Sequence, residues 1–220
     1  MGPSKALRAL SAPTTLTLGH LKVTLSEIIQ ASKELGVWIH EHTNDTQMPN
    51  DRRKRIGLSI FQQSMDIGDA ILIILESNLP GPAFALARPL LESYVRGVWL
   101  LNHASEEQID KFMKGKCPKF PTLLNQIGDD PDTGGAWIRD TTDLNLKAFH
   151  DLTHGGIEHV VRRVTENYIE PNYPEEESIR LMKLRNEVQI NIATFLLALL
   201  KNEDALKKLY EKSKHYRAMP

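Results

Sequence analysis

The stretch from Phe84 to Leu101 constrains the fold more than any other part of the chain. Phe84, Leu86, Leu90, Leu91, Tyr94, Val95, Val98, Leu100 and Leu101 put apolar side chains around most of the circumference of one helix. Such a helix is stable in water only when protein covers it on nearly every side. The rest of the chain supplies the cover. Apolar residues recur at three- and four-residue spacing almost throughout, and no segment alternates as a strand does. The class is therefore all-α, a single-domain bundle of about six to eight helices.

Punctuation divides the bundle. A first helix runs from about Leu21 to His42, with Leu21, Leu25, Ile28, Ile29, Leu35 and Ile39 inward. After a turn at Thr43–Asn50, Asn50 or Asp51 caps a second helix reaching Ser77, with Ile56, Ile60, Ile67, Ile71, Ile74 and Leu75 as its core positions. Asn78-Leu79-Pro80-Gly81-Pro82 breaks the chain. A third helix follows from Pro82 to Ala104, and Ser105 caps a short one. Gly128 to Gly135 reads as a flexible loop. Asp140 to Thr153 is helical, Gly155-Gly156 interrupts, and Ile157–Asn167 resumes. After the break at Pro171–Pro174 comes a long helix, Glu175 to Leu200, and then a charged one from Asn202. Residues 1–15 read as a mobile tail and 16–220 as one helical domain.

Composition narrows the functional classes. The net charge of −1 gives no global pull toward nucleic acid or acidic lipid, so such binding needs a local basic patch. One cysteine, Cys117, rules out an internal disulfide and fits a reducing cytoplasm. The most apolar stretches, Ala70–Leu75 and Ile190–Leu200, fall short of the roughly 20 residues that span a bilayer. The expectation is a cytoplasmic protein with no membrane segment.

Two segments carry the candidate chemistry. In the third helix Arg88, Glu92 and Arg96 stand four apart on one face, and Trp99 and His103 continue the line. The bland reading is a solvated face of ion pairs. The functional reading is a polar groove in which Arg88 and Arg96 grip an anion and Glu92 orients them, because a guanidinium fork matches phosphate and carboxylate geometry. Pro89 either kinks the helix beside Arg88 or starts it. The second segment is Thr153-His154-Gly155-Gly156 followed by Arg162-Arg163. His154 is a helix-end cap or a general acid–base at a tight turn, and Arg162 and Arg163 are candidate anion ligands. His150 and His154 stand four apart and could share a metal, but a third ligand is needed. Asp66, Asp69 and Glu76 form a carboxylate stripe on the second helix that could in principle complete such a site, but a solvated face explains them more simply, so no metal or cofactor is expected. Arg52 to Arg55 and Lys111, Lys114, Lys116 and Lys119 are the basic clusters that could assemble an RNA-binding patch.

The segments ARPLLESYVRGVWL and THGGIEHVVRR resemble those of a bacterial family of uncharacterised helical proteins, over roughly Leu79 to Arg163. Leu152 departs from the aromatic usual before the Thr-His pair. That family implies no activity. Arg96 and His103 also bracket six residues, a spacing similar to that of the metal-independent HEPN ribonucleases, although Gly97 replaces the polar residue that usually follows the arginine. The likeness extends to abortive-infection helical proteins and implies a role in defence or stress response. It points to Arg88, Glu92, Arg96, His154 and Arg162. In that chemistry His103 or His154 moves a proton and the arginines stabilise phosphate charge. The leading expectation is therefore an anion-binding, ribonucleolytic cleft that takes RNA or another phosphate-bearing ligand. The alternative is a non-catalytic helical interaction module. The long apolar helices favour a homodimer under either reading.

Overall fold

The computed structural model describes residues 23–44, 47, 50–128, 135–143 and 146–218. The expected tail, Leu21 and residues 129–134 of the Gly128–Gly135 loop lie outside the described residues. The fold is all-α: α1 (Leu25–Thr43), α2 (Arg52–Glu76), α3 (Pro80–Ala85), α4 (Ala87–Asn102), α5 (Glu106–Met113), α6 (Phe120–Ile127), α7 (Gly135–Asp143), α8 (Leu146–Thr153), α9 (Ile157–Val161), α10 (Glu175–Leu199) and α11 (Glu203–Ala218).

Local chemistry sets the starts. Thr24 and Glu27 form a reciprocal capping box on α1, as Ser105 and Gln108 do on α5. The Asp51 carboxylate accepts from the Lys54 amide at 2.8 Å and caps α2. The segment after Gly156 departs from expectation. Only Ile157–Val161 is helical, and the chain then turns through an isolated antiparallel bridge between Val164 and Ile169.

The inward face of α2 also differs from the isoleucine stripe. Gly57, Leu58, Phe61, Ser64, Gly68, Ile71, Leu72 and Leu75 are buried, whereas Ile56, Ile60, Ile67 and Ile74 are only half-buried. Small residues decide this, because they let neighbouring helices come close. A Cβ on Gly57 would lie 2.4 Å from Leu101 of α4, and one on Gly97 would lie 2.4 Å from the ring of Phe61. Ser64 donates to the Leu90 carbonyl at 3.1 Å across the same interface. By length and composition α2 could cross a membrane, but in this fold its small-residue face packs on α4 and α10.

Farther along the same small-residue face, α2 meets α10 at Gly68, where a Cβ would lie 3.3 Å from Arg185 Cγ. Arg185 is almost wholly buried. Its guanidinium donates to Asp69 at 2.5 Å, to Asn186 Oδ1 at 3.0 Å and to the carbonyls of Gly68 and Ser32 at 3.3 and 3.4 Å. Gln189 donates to the same Asp69 oxygen at 2.9 Å, and Asn186 to Ser32 Oγ at 2.9 Å. Burial pulls this guanidinium below its ordinary value, and Asp69 offsets only part of the effect. The network ties α1, α2 and α10 together and takes Asp69 out of any carboxylate stripe; Glu76 likewise pairs with Lys33.

The expected third helix is two helices. The chain breaks at Leu86, and α4 begins at Ala87 with Pro89 in its first turn. Proline carries no amide hydrogen and displaces the carbonyl four residues back, here that of Ala85. Thr153 Oγ1 reaches that carbonyl at 3.1 Å and shares its one proton with Phe149 O at 2.8 Å. The two unusual sequence segments therefore meet at the break.

Close packing at Gly97 is testable. Alanine is the better helix former by about 1 kcal/mol, yet Gly97→Ala should lower stability by about 1–3 kcal/mol, because the added methyl must displace Phe61 in a filled core. Urea denaturation at equilibrium measures the sign.

Candidate functional site

With Ala87, Leu90, Leu91, Tyr94, Val95, Val98 and Trp99 of α4 buried, the stripe that remains half-exposed is Arg88, Glu92 and Arg96. Glu92 sits between the arginines. Its Oε1 accepts from Arg88 Nε at 2.7 Å and its Oε2 from Arg96 Nη2 at 2.8 Å. The glutamate side chain keeps 18% of its exposure and that of Arg96 35%, so the cluster sits at the rim of the core.

Other elements close on this stripe from two sides. From α8, His150 meets Arg88 Nη1 through its Nδ1. A guanidinium only donates, so Nδ1 accepts and the His150 proton sits on Nε2. His154 lies one turn on, with ring centroids 4.5 Å apart and edge to face. From the α5–α6 connection comes Cys117, close enough for its thiol to feel the Arg96 charge. Desolvation pushes the Cys117 thiol above its usual value, and the Arg96 charge pulling the other way does not win. Beside it a depression of about 210 Å³ is lined by Lys111 and Lys116 among others.

The turn after α8 places His154. Gly155 takes a φ of 70°, in the left-handed region that ends a helix. The Asp151 carboxylate then accepts from the Glu158 amide at 2.8 Å and starts α9. A Cβ on Gly156 would lie 2.1 Å from Asp151 Oδ1, which accounts for the second glycine. His154 itself is exposed.

The other expected site residues lie elsewhere in the fold. His103 caps the far end of α4, half-buried and two turns from Arg96, roughly 10 Å along the axis. Arg162 is not an anion ligand in waiting. It is buried, donates through Nε to Glu177 at 3.0 Å, and donates through Nη1 to the Glu158 carboxylate at 2.5 Å and its carbonyl at 2.9 Å. Burial pulls its guanidinium down, and the two carboxylates more than offset that. Arg163 is held by the Tyr173 hydroxyl at 2.7 Å and stacks over that ring. That hydroxyl in turn donates to His159 Nδ1 at 2.7 Å, while His159 Nε2 donates to Leu152 O at 2.6 Å. Both arginines anchor the segment after α9 to the bundle.

The basic cluster opening α2 also has a structural use. Arg53 donates to the carbonyls of Leu100 and Ala104 and to Glu106, and Arg52 pairs with Asp110. Among the described residues no three His, Cys, Asp or Glu side chains converge as metal ligands would. Sequence reasoning weighed His150 only as a metal ligand and left Cys117 without a role. No local pattern announces either contact, because each arises from another element arriving at α4.

The two charge clusters should respond differently to truncation. Glu177→Ala leaves a buried guanidinium short of a partner and should cost about 3–5 kcal/mol. Arg96→Ala removes one rim ion pair and should cost under about 1 kcal/mol. Thermal and chemical denaturation of the two variants side by side reads the difference.

No curated protein and no solved structure matches the chain significantly. A family model matches residues 61–219, a span that runs from the middle of α2 to the end of α11 and includes the whole cluster on α4 and α8. The chain belongs to DUF6988, a family of unknown function.

Proposed function

We propose that the protein binds the phosphate groups of RNA on the face formed by Arg88, Arg96, His150 and His154, and cleaves the RNA without a metal. The observation that carries this reading is the joint arrangement of Arg88, Glu92, Arg96 and His150. Two guanidinium groups are fixed by one carboxylate, at the rim of the core, with an imidazole pair against them. One carboxylate leaves the pair of arginines a net positive charge, and each guanidinium retains donors that Glu92 does not use. Lys116 beside Cys117 adds a cation on that side of the cluster, whereas Lys111 pairs with Glu107.

In this reading His154 takes the proton of a ribose 2′-hydroxyl, whose oxygen attacks the adjacent phosphorus. The bond to the 5′-oxygen breaks, that oxygen receives the proton, and a cyclic phosphate remains. The arginines stabilise the charge that builds on the phosphoryl oxygens. His103 is a weaker candidate for the proton transfer than His154, since it sits two turns from Arg96 and His154 is joined to the cluster through His150.

The test is incubation with mixed cellular RNA and single-stranded oligonucleotides in EDTA. Cleavage by the wild type, lost in Arg96→Ala and in His154→Ala while both keep the wild-type melting temperature, is the expected result. Equal products from wild type and variants would end the catalytic reading.

A non-catalytic interaction module is the second reading, and one observation favours it. Ile157, Val160, Val161, Val164, Tyr168 and Ile169 are all exposed, Ile169 at 86%, around the bridge that follows α9. Exposed apolar side chains gathered on one short segment suit an interaction site, and a second copy of the chain is the proposed occupant. Under it, sedimentation velocity should show a dimer that Ile169→Asp dissociates.

A further inference from the structure

A second site, independent of the cluster on α4, lies where α7, α10 and α11 meet. A cavity of about 320 Å³ opens there, within the size range of small-molecule pockets. Trp137 and Tyr216 give it aromatic walls, and Leu184 and Ile190 line it with aliphatic surface. Its charged side chains are Arg180, Lys183 and Arg217 against Glu187 alone.

Arg180 is the unusual member. Its Nε is buried and has no hydrogen-bond partner. Of the α10 carboxylates around it, Glu176, Glu177 and Glu187, the last two are engaged by other arginines. Glu177 is held by Arg162, and Glu187 receives Arg217 through Nε at 3.0 Å and through Nη2. Arg180 also lines a smaller cavity, shared with Phe84 and Phe149, so it stands between two open spaces. A buried guanidinium nitrogen without an acceptor is costly, and proteins rarely keep one without a use for it. Nearby, burial lowers the Lys183 ammonium from its ordinary value.

From the unpartnered Nε of Arg180 and the aromatic walls we infer that this cavity binds a small planar organic anion, its ring between Trp137 and Tyr216 and its phosphate or carboxylate on Arg180. A flat apolar body replaces water against the aromatic walls, and the anion supplies the acceptor that Arg180 Nε lacks.

The test uses the full chain and calorimetric titration with AMP, adenosine and benzoate, with the tryptophan fluorescence change that is lost in Trp137→Phe reporting the location. AMP carries a phosphate on a planar base, adenosine the same base without charge, and benzoate a carboxylate on a ring. Saturable binding of AMP or benzoate that quenches Trp137, with adenosine much weaker than AMP, supports the inference and tells phosphate from carboxylate. Arg180→Met should weaken that binding about 10- to 100-fold, the effect of losing one charged hydrogen bond. The same variant should melt at or above the wild-type temperature, because it removes a buried nitrogen that has no acceptor; a merely structural arginine would lower the melting point instead. The inference is overturned if neither anion binds, if adenosine binds as well as AMP, or if Arg180→Met binds like wild type. RNA cleavage is read in a separate assay, so either reading can fail alone.

Discussion

The rest of the structure depends on how closely α2 can approach α4. Gly57 and Gly97 leave no side chain between the two helices, so Leu101 and Phe61 fill the space that Cβ atoms would otherwise take. A helical glycine costs about 1 kcal/mol relative to alanine, and here close packing over a long interface offsets that cost. With this face of α4 sealed and Trp99 fully buried, the Arg88–Glu92–Arg96 line is left at the rim as the charged part of the helix. The candidate site is thus a consequence of how the helix is packed as much as of which charges it carries.

A second constraint places the imidazoles. Pro89 leaves the Ala85 carbonyl without its helical donor, and Thr153 answers it from α8. That contact brings the end of α8 to the start of α4, which is where His150 meets Arg88. The glycines after His154 then turn the chain so that Asp151 can cap α9. Arg162 and Arg163 fasten the segment after α9 to α10 and to Tyr173. Every unusual residue in the two segments therefore has a mechanical use, and His154 and the guanidinium faces of Arg88 and Arg96 are left at the surface.

Charge is used in three ways along α10 and its neighbours. Arg185 is buried with a counterion and carbonyl acceptors, and it joins three helices. Arg162 is buried between two carboxylates and fixes a loop. Arg180 is half-buried with an unpartnered Nε, and Glu177 and Glu187 near it are engaged by other arginines. In the sequence these three arginines look alike. Their different roles come from whether a carboxylate on another element is within reach, which local patterning does not encode.

Much of the architecture was legible in the chain itself. Helical spacing, the absence of strand alternation and the caps at Asp51 and Ser105 are local features, and local physics set them. So was the grouping of Arg88, Glu92 and Arg96, because a four-residue spacing aligns them on any helix. The inward face of α2 was misread, since an isoleucine stripe gives the periodicity while the glycines Gly57 and Gly68 choose the face that packs. The single helix expected from Pro82 to Ala104 divides at Leu86, because Pro89 forbids the bond that would have continued it. The pairing of Arg88 with His150, the burial of Arg162 and Arg185, and the unpartnered Nε of Arg180 were decided only by the tertiary structure. Each depends on a partner brought from a distant part of the chain, and no short-range rule of spacing carries that information.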